Sequence, residues 1–158
     1  MRWLHSRVWV ALAVALSATP AFSQAANFRK LTLSSGFSPA AGQASGQTGG
    51  TLSLSSIANS DRNNKPCIGY GSETPDHIMV LESKFPKLAV EVNSGKDTTL
   101  VIRGPNNLIF CGDDTKTSKG ASKDASVEAA NLPPGEYRVW VGAMQEGQRW
   151  NYTLTVRQ

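Results

Sequence analysis

Short apolar runs, each closed off by Gly, Pro, Asn, Asp or Ser, limit what this chain can fold into. Thr51-Leu52-Ser53-Leu54-Ser55 alternates cleanly, and Leu88-Ala89-Val90-Glu91-Val92 sets Leu88, Val90 and Val92 on one side, because successive strand side chains point to opposite faces. After the stop signal Pro133-Pro134-Gly135, the same pattern puts Tyr137, Val139 and Val141 inward. The final run puts Tyr152, Leu154 and Val156 inward and Thr153, Thr155 and Arg157 outward. Residues 98–103 and 107–111 form another pair, joined by Gly104-Pro105-Asn106-Asn107, which are tight-turn residues. His77-Ile78-Met79-Val80-Leu81-Glu82 is more continuously apolar and reads as a strand covered on both faces, and 126–130 adds a weaker strand. No convincing amphipathic helix interrupts this series. The expectation is an all-β, antiparallel β-sandwich or jelly-roll-like domain of about seven or eight strands.

The start of the chain follows another rule. Arg2 and Arg7 precede an apolar stretch over 8–18, broken only by Ser17, and Ala21-Phe22-Ser23-Gln24-Ala25 follows Pro20. A positive start, an apolar centre and small residues at alternate positions are the three parts of a cleavable export signal. Cleavage is expected after Ala25, with Ser23 as the alternative. The stretch is shorter than the roughly 20 residues a membrane-spanning helix needs, so the expectation is a secreted or periplasmic protein that does not span the membrane. Loss of Arg2 and Arg7 takes the formal charge from +4 to +2. No dense Lys/Arg run remains, and nucleic-acid binding needs a clustered basic footprint.

The sequence therefore divides into a signal (1–25), a flexible Gly/Ser-rich segment (26–50) and a β-domain (51–158). Within the second, 36–50 carries too few apolar groups to order itself well. Residues 113–124, with Lys116, Lys119 and Lys123, read as a polar loop. Cys67 and Cys111 are the chain's two cysteines. An even count in an exported chain favours a disulfide over free thiols or metal ligation.

Asp97-Thr98-Thr99-Leu100-Val101-Ile102, Gly104-Pro105, Cys111-Gly112-Asp113-Asp114, Pro134-Gly135-Glu136-Tyr137-Arg138-Val139-Trp140-Val141-Gly142 and Tyr152-Thr153-Leu154 occur in that order. Together they resemble the bacterial pre-peptidase C-terminal (PPC) domain family, and are most similar to its stand-alone exported members with a paired-Cys pattern. Cys67-Ile68-Gly69-Tyr70 and Pro75-Asp76-His77 fit that subgroup, as do Gly36-Phe37 and Gly49-Gly50 more loosely. The resemblance spans 33–156 and implies a jelly-roll β-sandwich, usually a non-catalytic accessory to secreted peptidases. Some relatives bind extracellular polymers and some bind Ca²⁺, through residues without clear counterparts here.

The candidate chemistry is sparse. His77 is the one imidazole beyond the signal. It stands at the start of an apolar strand, where a satisfied structural histidine is the common case, and no Gly-x-Ser-x-Gly elbow accompanies it. Asp113-Asp114 adjoin a turn, where Asp is ordinary. Asp97, Asp113 and Asp114 fall at one end of a hairpin and form the best metal candidate, an oxygen-rich set suited to Ca²⁺. The alternative is three turn formers. Trp140, on the outward face of its strand, and Trp150, just before the last strand, would share a face if those strands pair, offering sugars or side chains a stacking surface. The alternative is a Trp covering the edge of the core. The functional expectation is a non-catalytic exported module that binds a polysaccharide, or a protein or peptide. A structural or chaperone-like accessory of a secreted peptidase or envelope protein, working through an apolar patch or an exposed sheet edge, is the rival.

Overall fold

The computed structural model describes residues 25–117 and 120–158, so the predicted signal lies outside the described residues except for Ala25. Eleven strands occur among the described residues: β1 (Leu31–Leu33), β2 (Gln43–Gln47), β3 (Leu52–Ser53), β4 (Tyr70–Gly71), β5 (His77–Leu81), β6 (Phe85–Asn93), β7 (Thr98–Arg103), β8 (Ile109–Thr117), β9 (Gly120–Leu132), β10 (Gly135–Ala143) and β11 (Asn151–Arg157). The class is all-β as expected, with more strands than the seven or eight read from the sequence. Among the described residues, no helix is long and apolar enough to cross a membrane.

The strands run in the order β1-β5-β10-β7-β8-β9-β6-β11-β2, with β4 pairing to β10 and β3 to β4. β8 belongs to both layers. Its Ile109–Gly112 stretch pairs with β7 in the first sheet, and from Asp113 onward it pairs with β9 in the second. The pairing is antiparallel except at one edge, where β1 runs parallel to β5, a departure from the fully antiparallel expectation.

The main core fills the space between the layers. Leu100, Ile102, Tyr137, Val139 and Val141 come from the first sheet, and Leu88, Val90, Val92, Leu154 and Val156 from the second. The inward residues of β6, β10 and β11 are those the alternation assigned. β5 is covered on both faces along most of its length, also as expected. Gly104 opens the turn between β7 and β8 because a Cβ there would lie 2.3 Å from the Tyr137 ring.

Two segments read as loops are strands. Residues 26–50 contain β1 and β2, and residues 113–117 and 120–124 belong to β8 and β9. Both depend on backbone pairing more than on apolar burial. Ala44 of β2 is buried, while Gln43, Ser45 and Gln47 face water. Thr115 pairs with Ser122 beyond a bulge at Asp114/Thr115. Strands held this way leave no apolar alternation to read.

Candidate functional site

The outer face of the first sheet is covered. Leu54 and Cys67, supported by Ile57 and Ala58, lie over Val101, Ile109, Cys111 and Trp140 and form a second, smaller core. The Cys67–Cys111 disulfide fastens this strap to β8, with 5.1 Å between the Cα atoms. Asp61 adds a polar clasp. Its Oδ1 accepts from the N–H groups of Asn63 and Lys65, and its Oδ2 accepts from Cys111 N–H at 3.4 Å.

Trp140 therefore does face away from the main core, but it is only 5% exposed. The shared aromatic face also lacks its premise. β10 pairs with β4, β5 and β7, whereas β11 pairs with β2 and β6. Trp140 and Trp150 thus belong to different sheets. Trp150 is half-buried, and the Lys96 ammonium sits 5.1 Å from its ring centroid. The expected stacking surface is corrected: one indole is core, and the other is taken up locally.

Asp97, Asp113 and Asp114 do converge, with one carboxylate oxygen from each lying within 4.8 Å of the others. The turn into β7 and the passage of β8 between sheets bring them together. Lys123 stands against this group, its Nζ 3.4 Å from Asp97 and 3.6 Å from Asp114. The hydrogen bond to Asp97 and the charge of Asp114 hold the Lys123 amine above its ordinary range. A divalent cation held by these carboxylates would compete with that ammonium.

A buried polar group lies at the start of β5. His77 is fully buried, with Nδ1 2.9 Å from the Arg29 carbonyl oxygen and Nε2 3.0 Å from the Tyr152 hydroxyl. Both nitrogens are engaged inside the protein, so the ring is not placed to exchange a proton with an external reactant. Burial lowers its pKa. Neighbouring Asp76 accepts from Val141 N–H at 2.8 Å and from Asn27 Nδ2 at 3.2 Å. Burial outweighs these bonds and pushes its carboxyl up to about 6. The Tyr152 hydroxyl is also pushed up, by burial and then by the Asp76 charge. The sequence located His77 as structural; Asp76 carried no pattern that set it apart from a turn residue.

The second sheet ends in an open edge. β2 pairs with β11 in the register Gln43↔Thr155 to Gln47↔Asn151. Val156 N–H donates to Gly42 O at 2.7 Å, and Thr48 N–H to Trp150 O at 2.9 Å. Hydrogen-bonded pairs alternate along an antiparallel ladder. The even-numbered residues of β2 therefore bond β11, and the N–H and C=O groups of Ser45 and Gln47 point away from it. These groups have no hydrogen-bond partner among the described residues. The edge is closed only at its start, where Arg29 Nη1 donates to Gln43 O at 3.3 Å.

A cleft of about 310 Å³ borders this edge, lined by Asn27, Phe28, Gln47, Gly49, Asp76 and Arg149 among others. Arg149 is exposed at its rim and forms no ion pair among the described residues; its Nη1 lies 3.5 Å from Gln47 Oε1. The sequence reading missed this site. The one available signal was the absence of charge and proline in Gln43-Ala44-Ser45-Gly46-Gln47, since sheet edges are usually protected by such residues.

No family model, no curated protein and no solved structure matches this chain.

Proposed function

We propose that this protein is a non-catalytic, exported binding module whose partner is a polypeptide. The open β2 edge carries the reading. Ser45 and Gln47 offer unpaired backbone donors and acceptors at alternate positions, the arrangement that lets an extended chain add itself to a sheet. The polysaccharide alternative draws no support from an aromatic platform, because Trp140 is core. The open edge also meets one requirement of an accessory acting on a secreted partner; its other, an apolar patch, has little to work with, since Met144 is the one large apolar side chain exposed among the described residues.

Two further observations bear on compartment and lineage. The disulfide fits an oxidising environment, in line with the tripartite export signal. The order of motifs resembling the PPC family favours a role beside secreted peptidases or their substrates.

The test compares retention of the purified protein on immobilised unfolded polypeptide and on insoluble polysaccharides. Retention on polypeptide that falls in Ser45→Pro, with the melting curve unchanged, supports the reading. Proline removes only the outward N–H of that residue, and an edge strand tolerates the loss. Retention on polysaccharide alone would replace this reading with the carbohydrate one.

A further inference from the structure

We infer that the cleft beside β2 takes an extended peptide bearing a carboxylate, with the peptide backbone added as a strand along Ser45 and Gln47 and the carboxylate on Arg149; this rests on the polypeptide-binding reading above.

The backbone supplies the first half of the argument. Ser45 and Gln47, two residues apart, present their N–H and C=O groups on the same side. At about 3.3 Å per residue, Ser45 to Gln47 spans about 7 Å of edge. The edge bears no Lys, Pro, Asp or Glu. Arg29 occupies its first carbonyl, at Gln43, so an added strand registers from Ser45 onward. The cleft begins where that strand would continue, since Gln47 and Gly49 line it.

Side-chain chemistry supplies the second half. The Arg149 side chain passes alongside Gly49, its Cγ 3.7 Å from where a Cβ on Gly49 would stand. Its guanidinium has no carboxylate partner among the described residues. A planar guanidinium is matched to a carboxylate by geometry as well as charge. The other charged group in the cleft, Asp76, already accepts from Val141 N–H and Asn27 Nδ2. It is 3% exposed and sits within the protein's own bonding. Phe28 gives the wall an apolar surface for one side chain of the bound strand. A peptide C-terminus and an Asp or Glu side chain share the required chemistry.

Fluorescence anisotropy with labelled short peptide libraries separates these elements. One library ends in a free carboxyl group, a second is amidated and neutral, and a third is amidated with a central Glu. The carboxylate-bearing libraries should bind about tenfold more tightly than the neutral one, the size of a charge-assisted hydrogen bond. Arg149→Gln should erase that difference. Ser45→Pro should weaken all three. N-methylation of alternate peptide amides should do the same, and that arm does not depend on how the variant folds. A preference for the first library over the third identifies a chain terminus as the ligand, and the reverse an acidic side chain.

Equal binding of all libraries, insensitive to Arg149→Gln, overturns the carboxylate assignment and leaves polypeptide binding standing. Binding that ignores both Ser45→Pro and N-methylation overturns the edge as the site. Failure of every library to bind overturns both.

Discussion

His77 Nε2 and the Tyr152 hydroxyl meet at 3.0 Å in the interior, joining β5 of one sheet to β11 of the other. Asp76 lies beside them and contributes to the rise in the Tyr152 pKa. Two neighbouring buried groups thus respond to acid in opposite senses, and the first prediction follows from their signs.

Asp76 has a folded pKa of about 6 against an ordinary 3.8. The folded state holds this proton more tightly, so its contribution is fully present below pH 3.8 and lost as pH rises through 6. The size is about 3 kcal/mol. His77 is shifted downward from 6.5; its contribution is present above pH 6.5 and lost as pH falls towards its lowered value. The two oppose each other in mildly acidic solution. Denaturant unfolding at pH 4.5, 5.5 and 7 should show His77→Gln gaining stability on acidification relative to the parent, and Asp76→Asn losing it. Parallel profiles for parent and variants would show that neither group titrates as described.

Reduction of Cys67–Cys111, or replacement of either Cys by Ser, should cost about 2–5 kcal/mol. The bridge closes a segment of sequence separation 44, for which loop entropy alone gives about 4 kcal/mol. Reductive unfolding followed by denaturant titration measures the loss. A stable variant with unchanged midpoint would assign the strap's attachment to Leu54 and Asp61 instead.

Trp140→Ala should destabilise the fold by about 3–5 kcal/mol, the range for removing a buried aromatic. Its neighbours Val101, Ile109 and Cys111 are themselves buried and cannot fill the space without moving. Thermal melting reads the effect. A variant as stable as the parent would return Trp140 to the surface role first expected of it.

Lys123→Ala should open Asp97, Asp113 and Asp114 to external cations. The parent protein should show little change in melting temperature with millimolar Ca²⁺, because the Lys123 ammonium already sits between two of these carboxylates. The variant should show a rise reversed by EDTA, since a ligand that prefers the folded state stabilises it by mass action. A variant indifferent to Ca²⁺ would leave the three carboxylates as turn and hairpin residues.

Protein recovered from the exported fraction should begin at Ala26, or at Gln24 if the alternative site is used. N-terminal sequencing decides. Recovery of Met1 or Arg2 would remove the export reading.

Legibility in the sequence tracked the source of each strand's stability. β6 and β11 were visible because each buries one face, and β10 because its inward residues alternate; Tyr137, Val139, Val141, Leu154 and Val156 fall on the side that alternation assigned. The β7–β8 turn was visible because Gly104-Pro105 is local chemistry. β2 was not, because its strand character lies in backbone bonds to β11, far along the chain. Trp140 was placed on the correct face of its strand, but its cover comes from Leu54 and Cys67, in a segment without periodicity. The three aspartates were found from hairpin geometry. Lys123, which satisfies two of them, looked like one lysine among several in a polar stretch.

The pairing of Gln47 with Asn151 has a temporal consequence. An N-terminal edge strand that closes on the C-terminal strand has nothing to bind until nearly the whole chain is present. β1 waits less long, because its partner β5 lies mid-chain. Pairings so distant in sequence slow folding, because the loop must close before the contact rewards it. A chain threaded N-terminus first through a narrow passage would stay pliable for most of its transit. The ladder at β2 would lock only once β11 had cleared.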